Sequence, residues 1–192
     1  MKSNLVAAAA AFSAICAAPL SAQSSGVFVE QIGDANQASV TQSNNAQRAV
    51  IEQDGNDNVA GIEQQGSAGH VATIDQTGNA NNADIAQKGD ISNVAMLTQN
   101  GNGNTAILLQ NDTGAIGSIA SITQNGSGNN VSLTQDGSDN QAVLAQTGDE
   151  NTMTAVQMDG LNRLEWTQNG TELQDMMIVQ SGGVAAIVTQ GN

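Results

Sequence analysis

The sequence predicts an all-β fold: a β-solenoid of about seven stacked coils with two parallel, in-register sheets. Three observations predict it. A Gln recurs on an 11-residue grid, apolar and polar residues alternate before each Gln, and a Gly commonly follows it. Two grid steps make one 22-residue coil of strand, turn, strand and turn. A fixed short period along a chain is typical of one supersecondary unit stacked on copies of itself.

Fifteen glutamines mark the repeat, and most neighbours are 11 residues apart, with occasional steps of 10, 12 or 14. In chain order they are Gln31, Gln42, Gln53, Gln64, Gln76, Gln87, Gln99, Gln110, Gln124, Gln135, Gln146, Gln157, Gln168, Gln180 and Gln190. This regularity argues against disorder, although the chain is rich in Gly, Asn and Gln, because disorder requires no period.

A predicted strand precedes each Gln. The residue two positions earlier is apolar in every unit, from Val29 in the first to Val188 in the last. The residue four positions earlier is also apolar, and it is Ala in ten of the fifteen units. Mostly small or polar residues lie between them. This period-two alternation predicts a five-residue strand with one buried face.

Turn residues follow each Gln. Gly lies two residues later in eleven units, as at Gly33 and Gly55, and indicates a turn with positive φ. Five residues after the Gln, eight units carry Asn: Asn36, Asn58, Asn81, Asn104, Asn129, Asn140, Asn151 and Asn162. We expect the apolar residues, the Gln and the Asn of each unit to face inward.

Two architectures fit this pattern, an antiparallel meander and a solenoid, and the inward amides distinguish them. A buried amide without a partner costs roughly 1–3 kcal/mol, and fifteen such costs exceed any plausible net stability. In a solenoid, in-register stacking places each Gln about 4.8 Å from the Gln one coil away. The amides then bond into ladders along the axis, so the sequence favours the solenoid.

Residues 1–22 have the layout of a secretory signal peptide. Lys2 precedes an apolar run over residues 5–18, and small residues lead to a predicted cleavage point after Ala22. The run is too short for a permanent transmembrane helix, so we expect no stable membrane insertion. Residues 23–192 then form one repeat domain, the predicted amyloid core. Cys16 is the only cysteine, so this domain has no disulfide.

The charge of the repeat domain excludes several classes of protein. Without Lys2, three basic residues (Arg48, Lys88 and Arg163) remain against 18 acidic residues. Phosphate contacts require Lys and Arg, so the sequence predicts no nucleic-acid binding and no attraction to anionic membranes.

Catalytic and metal-binding patterns are not found in the sequence. His70 is the only histidine and is expected to be a solvated turn residue, without a second His or Cys to complete a metal site. Ser and Asp are plentiful, but with its one His assigned to a solvated turn the chain offers no credible Ser-His-Asp triad, so we expect no enzyme activity and no cofactor. Turns such as 54–58 superficially resemble calcium loops but lack calcium-binding spacing.

Three acidic residues form a regular set. Glu30, Glu52 and Asp75 each precede a grid Gln in alternate units, so we expect them to stack outward at the coil spacing. Like charges in such a row repel. They are candidate gatekeepers that slow assembly until acid or divalent cations relieve the repulsion; a merely soluble surface is the equally open alternative.

The repeat resembles the curlin repeat of curli amyloid fibres, Ser-x5-Gln-x-Gly-x2-Asn-x-Ala-x3-Gln. The first unit fits at every position, with Ser25, Gln31, Gly33, Asn36, Ala38 and Gln42. Four further units fit at all positions but the leading Ser, and the resemblance covers essentially all of residues 23–192. A three-residue expansion at residues 111–119 and the residues Asp159, Leu173, Met176 and Met177 depart from the motif.

The resemblance implies a secreted structural subunit that self-assembles into extracellular amyloid fibres for surface adhesion and biofilm matrix. It also implies a nucleator subunit and an outer-membrane secretion pore as partners. Neither predicted end of the solenoid has a visible cap, which favours filaments, since uncapped ends can pair with other copies. The alternative is a monomeric secreted solenoid of the adhesin or ice-binding type, and a calcium-dependent β-roll is a third possibility.

Overall fold

The computed structural model describes residues 3–8, 25–44 and 46–192, and for residues 3–8 it describes the backbone. Most of the predicted signal peptide, including its predicted cleavage point after Ala22, lies outside the described residues. Within the described parts of the chain, no helix is long and apolar enough to cross a membrane.

Sixteen β-strands make up the secondary structure of the described residues. They are β1 (Ser3–Ala8), β2 (Gly26–Ile32), β3 (Gln37–Gln42), β4 (Arg48–Asp54), β5 (Val59–Gln65), β6 (Val71–Asn79), β7 (Asn82–Gly89), β8 (Val94–Asn102), β9 (Thr105–Asp112), β10 (Ile119–Asn125), β11 (Asn130–Asp136), β12 (Gln141–Thr147), β13 (Thr152–Met158), β14 (Arg163–Asn169), β15 (Met176–Ser181) and β16 (Ala185–Gly191).

Alternate strands form two eight-stranded sheets, which we call the even sheet (β2, β4 and so on to β16) and the odd sheet (β1, β3 and so on to β15). Consecutive strands therefore lie in opposite sheets, which rules out the meander. From β2 onward every neighbouring pair within a sheet is parallel and in register, as where Gln53 pairs with Gln76. The predicted solenoid of about seven coils is confirmed.

The strands are longer than the predicted five residues: they span six to nine. The pairing continues past the Gln, and between β6 and β8 it includes Gly78 opposite Gly101 and Asn79 opposite Asn102. Identical turns stacked on one another can continue the backbone ladder, and a pattern of buried side chains does not reveal this extension.

One core cluster extends along the axis from β2 to β16. It consists of the inward Ala row and the inward Ile, Val and Leu row of both sheets. Trp166 on β14 interrupts the second row and is fully buried. The preceding strand, in the opposite sheet, carries Ala155 in the same row, where every other strand from β2 to β16 has a larger residue. This small residue leaves volume for the indole.

The strand β1 was not expected. It lies within the predicted signal peptide and pairs antiparallel with β3, with Ser3 opposite Gln42 and Ala8 opposite Gln37. Among the strand pairs of the described residues it is the one antiparallel pair. Thus β1 covers the edge of the odd sheet at the first coil, whereas the even sheet ends at β2.

Candidate functional site: axial amide ladders

Two columns of glutamine side chains lie inside the solenoid, one on each sheet. Thirteen hydrogen bonds link them, each from the Nε2 of one Gln to the Oε1 of the Gln one coil nearer the C-terminus, at 2.6–2.9 Å. Thirteen of the fifteen predicted residues are buried, and Gln31 and Gln190, in the first and last strands of the even sheet, are half-buried. The predicted Gln ladders are confirmed.

The second N–H of each interior amide also has a partner, because Nε2 donates to a backbone carbonyl of the opposite sheet. Gln76 Nε2, for example, lies 3.0 Å from Val59 O and 2.8 Å from Gln99 Oε1. The amides therefore join neighbouring coils along the axis and the two sheets across the core. A strand inserted out of register would lose both kinds of bond.

A second pair of ladders follows the turns. The turns from an even to an odd strand, which we call the regular corner, carry six stacked asparagines: Asn36, Asn58, Asn81, Asn104, Asn129 and Asn151. Each Asn Oδ1 accepts the backbone N–H of the equivalent residue one coil later, at 3.0–3.1 Å. The ladder ends where Leu173 donates its N–H to Asn151 Oδ1. Leu173 has no side-chain acceptor to continue it.

The turns from an odd to an even strand form the variable corner. At the position equivalent to that asparagine it carries, in chain order, Gln47, His70, Asn93, Ser118, Asn140, Asn162 and Val184, of which the first six are buried and Val184 is exposed. His70 Nδ1, Asn93 Oδ1 and Ser118 Oγ each accept the backbone N–H of the next coil, at 2.8–3.3 Å. Different side chains therefore take the same role in the ladder, because each provides a hydrogen-bond acceptor for the following coil.

His70 corrects one expectation. Its side chain is fully buried and is not a solvated turn residue. Nε2 lies 3.1 Å from the carbonyl oxygens of Gln65 and Gly89, and Nδ1 lies 3.1 Å from the backbone N of Asn93. The carbonyls can only accept, so Nε2 carries the proton and Nδ1 accepts. The ring replaces an asparagine of the ladder.

Sequence reasoning found the eight Asn five residues after a Gln, and all eight are buried. It missed Asn93, His70, Gln47 and Ser118, because counting forward from the Gln fails where a turn is longer or lacks Asn. Counting six residues back from the following Gln identifies all four. The predicted expansion is such a turn, in which buried Asp112 Oδ1 accepts the N–H of Gly114.

Glycines line the regular corner next to the asparagines. Gly101 has φ +125°, and a Cβ there would lie 1.9 Å from the carbonyl oxygen of Gly126 in the next coil. Gly103, two residues on, has φ +65° and no atom within 4 Å of such a Cβ. The first glycine is therefore required for stacking, whereas the second position requires only a left-handed backbone, which Ala35 and Ala80 also adopt at the equivalent position of other coils.

Acidic side chains lie on the outer faces of both sheets. Glu30 pairs in register with Glu52, and Glu52 with Asp75, so the three candidate gatekeepers form one row on the even sheet. On the odd sheet, partial burial and, secondly, the nearby Glu63 carboxylate raise the pKa of Asp84 above its ordinary value. Among the described residues no three His, Cys, Asp or Glu side chains converge as a metal site.

The first coil presents unpartnered acceptors. Gln42 Oε1 and Gln47 Oε1 are buried without a hydrogen-bond donor, although β1 pairs with β3. In the last coil Gln190 Nε2 donates to Gln174 O at 2.8 Å, which leaves one of its two N–H groups available. Along their columns the interior glutamine amides all donate toward the C-terminal coil, so the Gln ladder has acceptors at one end and a donor at the other.

These features define a class of protein: a β-solenoid whose coils are joined by Gln and Asn ladders along the axis. The curlin associated repeat family matches residues 33–66, 117–148 and 126–157. Over these three regions the chain matches the curlin repeat family, a family of structural subunits, as the sequence resemblance predicted. Comparisons with curated proteins and with solved structures return no match.

Proposed function

We propose that this protein is a secreted structural subunit that self-assembles into curli-like amyloid fibres on the cell surface, for adhesion and biofilm matrix. The curlin repeats support the class of protein. One observation carries the assembly step: the amide ladders run along the axis and stop at the first and last coils with unpartnered groups. Another copy offers the matching groups in the matching register.

The proposal includes a route to the fibre. Residues 1–22 act as a signal peptide and residues 23–192 as the fibre-forming domain. By family resemblance, an outer-membrane pore exports the chain and a nucleator subunit starts growth. The protein acts through self-templated strand addition and not as an enzyme, and it requires no cofactor.

Assembly can be tested with residues 23–192 diluted from denaturant without calcium. We expect insoluble fibres whose fragments, added to fresh protein, abolish the lag phase of growth measured by sedimentation. A folded monomer that stays soluble at every concentration would contradict the proposal and favour a monomeric binding solenoid. Folding that occurs only after calcium is added would indicate a calcium-dependent β-roll instead.

We further propose that Glu30, Glu52 and Asp75 act as gatekeepers of assembly. Their in-register stacking places three like charges one coil apart on an outer row, where Glu52 is exposed and the other two are half-buried. Changing all three to Asn should shorten the lag phase at neutral pH and low salt. The matched control changes Thr98, Thr123 and Thr167, uncharged residues of the same row, to Asn. An equal lag for the acidic-row variant and the parent would refute the gatekeeper role.

A further inference from the structure

Counting strands β2–β16, the two sheets contain different numbers of strands. The even sheet contributes eight of them and the odd sheet seven, β3 to β15. Because the chain rises half a coil with each strand, the even sheet extends beyond the odd sheet at both ends. A second copy stacked without rotation would place its β2 on β16. Its β3 would then lie two strand spacings, about 9.6 Å, from β15 and leave a strand-wide gap in the odd sheet.

We propose that successive copies of this protein stack head to tail with a half-turn about the fibre axis, an inference that rests on the proposed function as a fibre subunit. β15 of one copy then pairs in parallel with β2 of the next copy, and β16 pairs with β3. Each sheet continues into the opposite sheet of the neighbouring copy, and no strand position stays empty.

The two sheets are similar enough to exchange places. Every strand from β2 to β16 presents the same inward order of apolar residue, apolar residue and Gln. The half-turn aligns Val27, Val29 and Gln31 of β2 with Met176, Ile178 and Gln180 of β15. It likewise aligns Ala38, Val40 and Gln42 of β3 with Ala186, Val188 and Gln190 of β16. Both the core and the amide columns therefore continue across the junction.

The direction of the glutamine ladders sets the polarity of stacking. Gln42 Oε1 is buried without a donor, and Gln190 Nε2 has one N–H available at the other end. The half-turn brings these two groups together. At the other strand pair, Gln180 Nε2 donates to Gln31 Oε1 of the next copy. To do so it gives up its 3.2 Å hydrogen bond to Val184 O. Two first coils meeting face to face would set acceptor against acceptor, so stacking in that sense is excluded.

The outer faces also favour the half-turn. Stacking without rotation sets Thr189 of one copy beside Glu30 of the next. The half-turn sets Val179 beside Glu30 and Thr189 beside Thr41, which forms a cross-strand Thr pair. It also moves the acidic row that contains Glu30 to the opposite side of the fibre in each successive copy. The fibre then carries its charge evenly on two sides.

β1 conflicts with this junction, since it occupies the edge of β3 that would receive β16. Cleavage at the predicted point after Ala22 would remove β1 and free that edge. Residues 23–192 include every residue of the core cluster found among the described residues. Assembly is therefore tested with this segment.

Cysteine pairs can distinguish the two junctions, because residues 23–192 contain no native cysteine. Cα atoms on adjacent in-register strands lie about 4.8 Å apart, within the range a disulfide spans. The pairs Val179→Cys with Glu30→Cys, and Thr189→Cys with Thr41→Cys, report the half-turn. The pair Thr189→Cys with Glu30→Cys reports stacking without rotation. Each variant is assembled in reductant, oxidised, dissolved and run on a non-reducing gel.

We expect both half-turn pairs to give at least about tenfold more covalent oligomer than the third pair. Cross-linking of the Thr189–Glu30 pair as strong as either half-turn pair would overturn the half-turn, while the fibres themselves would leave the proposed function intact. No fibre from the unaltered segment would refute the proposed function first. If one half-turn pair prevents assembly, the other decides, because the two pairs lie on different sheets.

Discussion

An interior ladder residue should contribute far more stability than the same residue in the last coil. Gln99 accepts from Gln76 Nε2 at 2.8 Å and donates to Gln124 Oε1 at 2.8 Å. Gln99→Leu keeps the side-chain volume but leaves Gln76 Nε2 and Gln124 Oε1 unpartnered in the buried core, and it also removes the Gln99 hydrogen bond to a backbone carbonyl of the opposite sheet. At roughly 1–3 kcal/mol for each group, the loss is about 4 kcal/mol. The added apolar burial returns about 2 kcal/mol, so the net loss is about 2 kcal/mol.

The matched control is Gln190→Leu, since Gln190 is half-buried and has no coil beyond it within the described residues. We expect a loss below about 1 kcal/mol there. Urea unfolding of the unassembled chain can be followed by the fluorescence of Trp166, the only tryptophan. Equal stability of the Gln99 variant and the parent, within about 0.5 kcal/mol, would refute the argument that the ladder stabilises the solenoid.

Three further predictions concern single residues. Gly101→Ala should cost about 3 kcal/mol or more, and Gly103→Ala about 1 kcal/mol, in the same urea assay; equal losses would contradict the stacked carbonyl contact. His70→Leu should cost about 1–3 kcal/mol, whereas His70→Asn restores the acceptor for Asn93 and should be nearly neutral. Because the folded-state pKa of Asp84 is raised, its carboxylate costs stability at neutral pH and the cost disappears as the pH falls below the ordinary Asp value. Asp84→Asn should therefore stabilise slightly, by about 0.5 kcal/mol, at pH 7 and show no gain near pH 3, and an equal gain at both pH values would exclude this cause.

Much of this fold can be predicted from the sequence, because the sequence repeat is short and each buried polar group needs a hydrogen-bond partner. The inward Gln grid predicts the parallel register, since only equivalent positions one coil apart can pair their amides. The structure confirms the parallel register even at Trp166, which differs in size from its neighbours in the row but still pairs with Leu144. The eight predicted Asn positions follow from the same reasoning.

The features that the sequence did not predict arise where individual residues depart from the repeat. His70 was expected in solvent because it lies in a lengthened turn, yet a neighbouring coil supplies a donor and an acceptor for its ring. The pairing of β1 with β3 could not be read from an apolar leader that matches no repeat. The raised pKa of Asp84 comes first from its partial burial and secondly from Glu63, which is 21 residues away in the chain and close only after coiling.

X-ray diffraction from aligned fibres of residues 23–192 tests the central claim most directly. The account predicts a strong reflection near 4.8 Å along the fibre axis, because the strands of every coil lie across that axis and their amide ladders run along it. Fibres without that axial reflection would contradict the account. So would a 4.8 Å reflection oriented across the fibre, since it would place the coils side by side instead of end to end.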